Sequence, residues 1–387
     1  MAGESYAAAQ NNIPDYLQIT KEVNMFINKR RFLRKLIVIL FTALPIIFTC
    51  SATAEMDDFE KIEPNKVPDV LSMLASATQA NYDKIHTWQG EIISKSIVTI
   101  QGRKARELLS RNTNADPNNL PDKIQVIHNN AIEYNIDVPN EHFVSLSDRT
   151  EPPAYFDPEN NKLYPLDWGP GESIQIVTPE HQTEISPGRW SSKDKTIKSR
   201  RATKESPHKP VSRIDPREVF YIGNKTLWLS LSQLTQSLKI PGIPHFGVVI
   251  KKKASNDNTI YRMEISEPGR DYPFQVLVLD SEVDFNCTYI ENWQNKDYLM
   301  SKTTTEYVSH NGAFLPKKRQ MSQYFSNGDL MRQKIYTIEH QQINKPISNS
   351  KFSIQNYLQE GDELRDRITH KKFEYKNNQL VEVSQEK

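Results

Sequence analysis

Residues 301–340 read SKTTTEYVSHNGAFLPKKRQMSQYFSNGDLMRQKIYTIEH. Two Asn-Gly pairs, Asn311-Gly312 and Asn327-Gly328, divide segments rich in Thr, Tyr, Phe and Ile. Asn-Gly between such segments is the strongest short-range hairpin signal, because both central residues of a type I′ turn need a positive φ. A third turn, Asn377-Asn378, joins Lys371–Lys376 to Gln379–Ser384. From about Asp271 to Val383 the chain therefore reads as a run of short antiparallel strands. Just upstream, Phe246–Lys253 and Ile260–Ser266 pair about Asn256–Asn258. Val219–Leu231 reads as a hairpin about Gly223-Asn224, followed by a short helix through Leu238.

Further toward the N-terminus the period changes. Val67, Val70, Leu71, Leu74, Thr78, Tyr82 and Ile85 recur at three and four, which predicts a helix over Pro64–Thr87 with one apolar face. Trp88-Gln89-Gly90 breaks that period, and the β-branched residues of Glu91–Ile100 predict a strand. Gly102 to Asp122 is polar and reads as a loop. Lys123–Leu146 holds two or three strands, and Glu151–Pro170, punctuated by prolines, reads as irregular. Consecutive hairpins imply one antiparallel sheet. A sheet of about ten strands must curl, because strand twist accumulates. Its inner face then needs an apolar cover, and the N-terminal helix suits that task. The fold class is mainly β (α+β), with the N-terminal helix and one or two further helices on the concave face.

Composition places the chain. Its 387 residues are 37% hydrophobic and 25% charged, with a net charge of +1 and only 13 glycines. No concentrated basic excess is present, so nucleic acid is not an expected partner. Leu36 to Cys50 is an apolar stretch without charge, preceded by Lys29, Arg30, Arg31, Arg34 and Lys35 and followed by Ala52-Thr53-Ala54. These three regions describe a secretory signal peptide. The stretch is short for a membrane span of about 20 residues, though a retained anchor is the competing reading. Translation from Met25 would give the signal a normal basic start; an unusually long leader from Met1 is the alternative. Residues 1–54 are then leader and signal peptide, removed after Ala54. Cys50 is an alternative site of lipid attachment. Cys287 is alone in the remaining chain, which excludes a disulfide scaffold. It lies in a strand pattern and reads as a buried, inert thiol. Arg189–Arg217 carries ten Lys/Arg against three acids. It reads as a solvated surface loop, or as a patch for an acidic partner protein or for transient contact with anionic headgroups at a membrane surface.

The order of elements resembles the LolA family of periplasmic lipoprotein carriers and their LolB-like relatives. Asp69–Trp88 resembles that family's first helix, with Tyr82-Asp83-Lys84-Ile85 running into the first strand. Phe274–Asp284 resembles its strand pair ending in an acidic turn. Asn311-Gly312-Ala313-Phe314-Leu315-Pro316 is similar to its G-x-x-x-P strand start, and Asn344-Lys345-Pro346-Ile347-Ser348 with Phe352-Ser353-Ile354 to its closing segment. Gly361–Asp366 follows as its terminal element. The match covers residues 66–100 and 260–375. The resemblance implies a half-barrel formed by residues 55–387 as a single domain, with a long insertion around 102–217. It also implies that helices plug the concave face, that acyl chains displace them, and that lipid or an acylated protein is the partner.

No catalytic constellation stands out. The nine histidines are scattered, and H-E-x-x-H, C-x-x-C, G-x-S-x-G and Walker-type glycine loops are absent. Asp280-Ser281-Glu282-Val283-Asp284 lacks the spacing of a calcium loop and reads as a solvated turn. Neither an enzyme nor a cofactor is expected. The expected function is an exported hydrophobic-ligand or lipoprotein carrier of the cell envelope. The alternative is an envelope scaffold or regulatory module that binds a protein partner through the same sheet. Strand apolarity nominates Trp88, Ile92, Val98, Val276 and Val278 as lining a hydrophobic cavity between helix and sheet. N-terminal sequencing of exported protein should begin at Glu55. A product starting at an acylated Cys50 would replace cleavage after Ala54 with a lipoprotein reading.

Overall fold

Where apolar and polar residues alternate between turn-forming pairs, the chain folds into antiparallel strands. In the computed structural model these are, in chain order, Glu60–Lys61 (β1), Thr87–Gln101 (β2), Lys123–Asp137 (β3), His142–Arg149 (β4), Ala154–Asp157 (β5), Lys162–Pro165 (β6), Ser173–Val177 (β7), His181–Pro187 (β8), Asp194–Arg201 (β9), Ile222–Gly223 (β10), Trp228–Leu229 (β11), Gly247–Ser255 (β12), Asn258–Ser266 (β13), Gln275–Asp280 (β14), Asn286–Asn295 (β15), Tyr298–His310 (β16), Ala313–Tyr324 (β17), Leu330–Ile343 (β18), Glu363–Asp366 (β19), Lys372–Lys376 (β20) and Gln379–Val383 (β21). Among the described residues two α-helices, Val67–Asp83 (α1) and Arg103–Asn112 (α2), interrupt them. The structure describes residues 58–112, 120–149, 154–165, 173–179, 181–187, 194–201, 222–223, 228–229, 231, 246–255, 258–366 and 370–383. The leader, the cleavage site, Cys50, most of the expected helix ending at Leu238 and residues 189–193 and 202–217 of the basic segment lie outside them.

Among the described residues nineteen strands share one sheet. From β1 the ladder runs through β12, β13, β14, β15, β16, β17 and β18 to β2. It continues from β2 through β3, β4, β7, β8 and β9. β19, β20 and β21 complete that side, and the β5–β6 hairpin extends from the first half of β3. Every pairing is antiparallel except β9 with β19. The sheet is curled and open, a half-barrel not closed into a barrel. β10 and β11 form a separate hairpin, with Gly223 paired to Trp228.

The turns follow their residues. Asn311 and Gly312 have φ of 50° and 78°, and Asn377 and Asn378 have 51° and 60°, the left-handed pair that a two-residue I′ loop needs. Asn327-Gly328 is different. Only Gly328 has positive φ, its N–H reaches Phe325 O at 3.0 Å, and the Phe325 N–H reaches Asp329 O at 2.8 Å. This is a longer loop closed by a bulge.

Helix α1 begins after a 3-10 turn at Pro64–Lys66 and stops at Lys84, so it is shorter than the apolar period suggests. Pro68 sits in its first turn, where a missing N–H is harmless. Val67, Leu71, Leu74, Thr78 and Tyr82 form its buried stripe. Ile85 is buried beyond the helix, in the link to β2. β2 starts earlier than expected, at Thr87, because Trp88 already pairs with Ile343 on one side and Ile136 on the other.

Two corrections concern segments read as loops. Arg103–Asn112 is helical: Ala105, Leu108 and Leu109 make a narrow apolar stripe on an otherwise charged helix. Ala105 and Leu109 are fully buried against Ile124, Val126, Tyr155 and Tyr164. Residues 154–165, expected to be irregular, form the β5–β6 hairpin, whose turn is tied by Asp157 accepting from the N–H groups of Glu159 and Asn160. A third correction concerns the C-terminal meander. It ends at β18, its strands are long, and the chain then crosses through 3-10 turns at Asn349–Phe352 and Ile354–Tyr357 to lay β19 parallel to β9.

The α1 core is dense: Leu71, Leu74, Ile92, Tyr134, Ile250, Met263 and Ile265 have no solvent exposure. Leu74→Ala should cost roughly 2–5 kcal/mol. Denaturant unfolding checks it, and a loss below about 1 kcal/mol would mean that α1 does not seal this face.

Candidate functional site

Strand alternation sorts side chains onto two faces. We call the face under α1 the inner face. On β2 it carries Trp88, Gly90, Ile92, Ser94, Ser96, Val98 and Ile100. Their β3 partners are Ile136, Tyr134, Ile132, Asn130, His128, Val126 and Ile124. The inner face is thus apolar at one end, polar in the middle and apolar at the other end. α1 covers the first apolar end through Leu71 and Leu74, and α2 covers the second through Ala105 and Leu109. Neither helix supplies a side chain to the cavity between them.

Between the two covered ends lies a cavity of about 400 Å³, which neither helix covers. Ser94, Ser96, Asn130 and Ile132 form its floor. β4 and β7 contribute Ser145, Ser147, Ser173 and Gln175, β8 contributes Glu184, and β18 contributes Lys334 and Tyr336. The register explains why these meet: Ser94 faces Tyr336, Ser96 faces Lys334, Ser147 faces Ser173, and Gln175 faces Glu184. The Ser96 hydroxyl is buried without a hydrogen-bond partner among the described residues, as is Nε of Arg332, two residues before Lys334 on β18.

The residues nominated from strand apolarity are not brought together. Trp88 and Ile92 lie in the packed α1 core. Trp88 Nε1 donates to Gln341 Oε1 at 3.1 Å, and its ring meets Tyr134 edge-on at 4.8 Å. Val98 lies against the α2 cluster. The register puts Val276 and Val278 on the outer face, paired with Glu264 and Glu291 and with Arg262 and Tyr289 respectively. Leu277 and Leu279 are the β14 residues that face α1. This one-residue offset follows from the period of two, which adjacent apolar residues cannot reveal. The space between α1 and the sheet is filled by side chains, and the cavity lies beside it with a polar lining. The missed signal was the polar interruption Ser94-Lys95-Ser96 inside an apolar strand, repeated by Ser145-Leu146-Ser147.

Polar groups tie down the C-terminal half of α1. Asn81, fully buried, donates to Phe314 O at 3.0 Å and accepts from the Phe314 N–H at 2.7 Å, as a neighbouring strand would. Tyr82 donates to Asn286 Oδ1, and Lys84 reaches both Asp284 and Gly312 O. Asn344 closes the junction by accepting from the His86 N–H and donating to Lys84 O. The acidic run is part of this joint. Asp280 caps a 3-10 turn by accepting from the Glu282 N–H, and Asp284, at φ 54°, pairs with Lys84. Cys287 is buried, and burial pushes its thiol up to about 12, which disfavours the reactive thiolate.

No family model matches the sequence, and no curated protein matches it. Among solved structures the chain is similar to a DUF1329 family protein from Desulfovibrio piger, at 9% identity over 75% of this chain and 98% of that one, with a TM-score of 0.36. It is similar to a LolA superfamily protein from Nitrosomonas europaea, at 10% identity over 74% and 98%, with a TM-score of 0.32. A putative outer membrane lipoprotein-sorting protein domain from Vibrio parahaemolyticus matches at 9% over 74% and 98%, with a TM-score of 0.35. The strand register, rather than these likenesses, defines the site.

Tyr134 packs over Gly90. A Cβ at Gly90 would stand 2.7 Å from the Tyr134 hydroxyl and 3.0 Å from Glu339 O. Burial raises the pKa of that hydroxyl well above the ordinary tyrosine value, which the Trp88 side chain partly offsets, and no hydrogen bond of normal geometry reaches it among the described residues. Tyr134→Phe should therefore be neutral or stabilising by up to about 1 kcal/mol. Gly90→Ala should cost about 1–3 kcal/mol through overpacking. Thermal melts check both; a Tyr134→Phe loss above about 1 kcal/mol would mean that the hydroxyl is satisfied.

Proposed function

We propose that the chain is an exported, non-enzymatic binding protein of the cell envelope that holds an amphiphile, a lipid or the acylated part of a protein, on the inner face of its half-barrel. The observation that carries this reading is the cavity of about 400 Å³ left between two separately plugged apolar patches. A molecule with one polar and one apolar end matches that pattern. Its polar end meets the serine-lined middle, and its apolar end meets Ile132 and the edge of the α1 core. Each methylene taken from water contributes roughly 0.8 kcal/mol. A few of them offset loosening of the N-terminal half of α1, which presents Val67, Leu71 and Leu74 to the sheet. The polar ties sit at the other end of the helix, from Thr78 to Lys84. Removal of the leader after Ala54 and transient contact with a membrane surface through Arg189–Arg217 belong to the same proposal.

The dense packing beneath α1 favours one other reading, an envelope scaffold that uses the sheet to hold a protein partner. Native mass spectrometry of protein purified from an envelope fraction separates the two. The binding reading expects a co-purified lipid or acyl species on the wild type. It expects that species to be missing from Ser145→Trp and Ser147→Trp, which fill the cavity, with circular dichroism and melting temperature unchanged. Wild-type protein without such a species, and without saturable binding of an acyl-labelled dye, leaves the scaffold as the better account.

A further inference from the structure

The cavity runs obliquely across the sheet, from β18 through β2, β3, β4 and β7 to β8. Tyr336, Ser94 and Asn130 stand in one cross-strand row. Ile132, Ser147 and Ser173 stand in the next, and Ser145, Gln175 and Glu184 in a third. Neighbours within a row are about 5 Å apart and successive rows about 7 Å. The hydrogen-bonding capacity of this lining is unspent. Among the described residues the side chains of Ser94, Asn130, Ser145, Ser147, Ser173 and Gln175 form no hydrogen bond with the protein, and the Ser96 hydroxyl is buried without a partner. Another polar row on the inner face behaves differently. Gln275, in step with Leu277 and Leu279, donates to Asn292 Oδ1 at 2.9 Å, and Asn292 donates to Ser301 Oγ at 3.0 Å. There the sheet satisfies its own polar groups, whereas in the cavity it leaves them to an outside partner.

The chemistry of the lining narrows what fits. Its inner-face charges are one cation, Lys334 on β18, and one carboxylate, Glu184 on β8, at opposite ends of the cavity. They cancel, so the lining does not select a charged ligand. Between them the polar side chains are hydroxyls and carboxamides, which both donate and accept. An oxyanion only accepts and an ammonium only donates, so either leaves half of that capacity unused. A sugar hydroxyl donates and accepts as the lining does, and several such hydroxyls sit close together on one ring. At the α1 end, Ile132 and Tyr336 are only partly buried against the core. They supply apolar surface on which the C–H face of a sugar ring rests. Resting on the binding reading above, we infer that the polar end of the ligand is a neutral sugar. Its hydroxyls bond the serines and amides of β2, β3, β4 and β7, and one face of its ring lies on Tyr336 and Ile132. Such a group occurs both as a free saccharide and as the headgroup of a glycolipid.

Isothermal titration of the mature wild-type protein tests this with monomeric octyl glucoside, with maltose, and with an octyl polyethylene glycol ether that has the same tail and no sugar. Saturable binding of a sugar compound is expected, and its affinity should not change as salt is raised. Affinity should fall about fivefold in Ser147→Ala and in Gln175→Leu, with melting temperatures unchanged. Ser145→Trp should abolish binding. The ether should bind at least about tenfold more weakly than the better sugar compound. Tighter binding of octyl glucoside than of maltose identifies a glycolipid headgroup as the source, and maltose binding as tightly or more tightly identifies a free saccharide; either supports the assignment. An ether that binds as tightly as octyl glucoside overturns it, as does sugar binding that Ser147→Ala and Gln175→Leu leave unchanged. So does the absence of any sugar binding. A lipid still present in the native mass spectrum would then leave the binding reading itself intact, and its absence would remove both.

Discussion

The double pairing of β2 is the constraint on which the rest of the half-barrel depends. Along one side, fifteen residues from Thr87 to Gln101 pair in unbroken register with β3. Along the other, Trp88 to Val98 pair with β18, from a part of the chain more than two hundred residues away. One strand therefore joins a sheet wing built by the C-terminal meander to a wing built by residues 123–201. Because register is unbroken against β3 and shifts against β18 only at a bulge between Glu339 and Gln342, the order of residues along β2 becomes the order of surfaces across the inner face. Trp88 and Ile92 define an apolar row, Ser94 and Ser96 a polar row, and Val98 and Ile100 a second apolar row.

Each apolar row has recruited its own helix. α1 is bound over its row by both packing and polar ties, of which Asn81 is the most telling. It hydrogen-bonds the Phe314 backbone in both directions, just after the Asn311-Gly312 turn, so the turn that shapes β16–β17 also positions the helix. α2 is smaller and grips its row with little more than Ala105, Leu108 and Leu109. On the outer face the wing of β4, β7, β8 and β9 is covered by the crossing segment, through Phe352, Leu358 and Leu364. Apart from Phe143 and Val177, which join the α1 core, the buried apolar residues of that wing lie on its outer side, so the rest of its inner side is free to be polar.

Much of this architecture is legible in the residues. Asn311-Gly312 and Asn377-Asn378 name their turns, and the spacing of Leu71, Leu74, Thr78 and Tyr82 names the first helix. The β12–β13 hairpin lies where alternation places it. The illegible parts have physical reasons. α2 shows the helical spacing at only three residues, Ala105, Leu108 and Leu109, inside a polar segment that reads as a loop, and tertiary contact with Ile124 and Tyr155 gives it a core. The crossing after β18 depends on a partner strand, β9, that local sequence cannot announce. The site was least legible of all. Apolar residues were nominated because strands bury them, whereas the open part of the inner face is where the strand is polar. Val276 and Val278 illustrate the second difficulty: in the run Val276-Leu277-Val278-Leu279 no polar residue marks which pair turns outward.

The distance in sequence between β2 and β18 also bears on how the molecule comes into being. A ribosome releases β2 long before β18, and until Ile343 has emerged the central strand has only one of its two neighbours. Pairing partners this far apart make folding slow, since the chain must close a very large loop before the contacts reward it. The N-terminal part therefore waits as an unfinished sheet with an open edge, exposed to aggregation unless something accompanies it. The last long strand thus sets the moment at which the half-barrel can be completed.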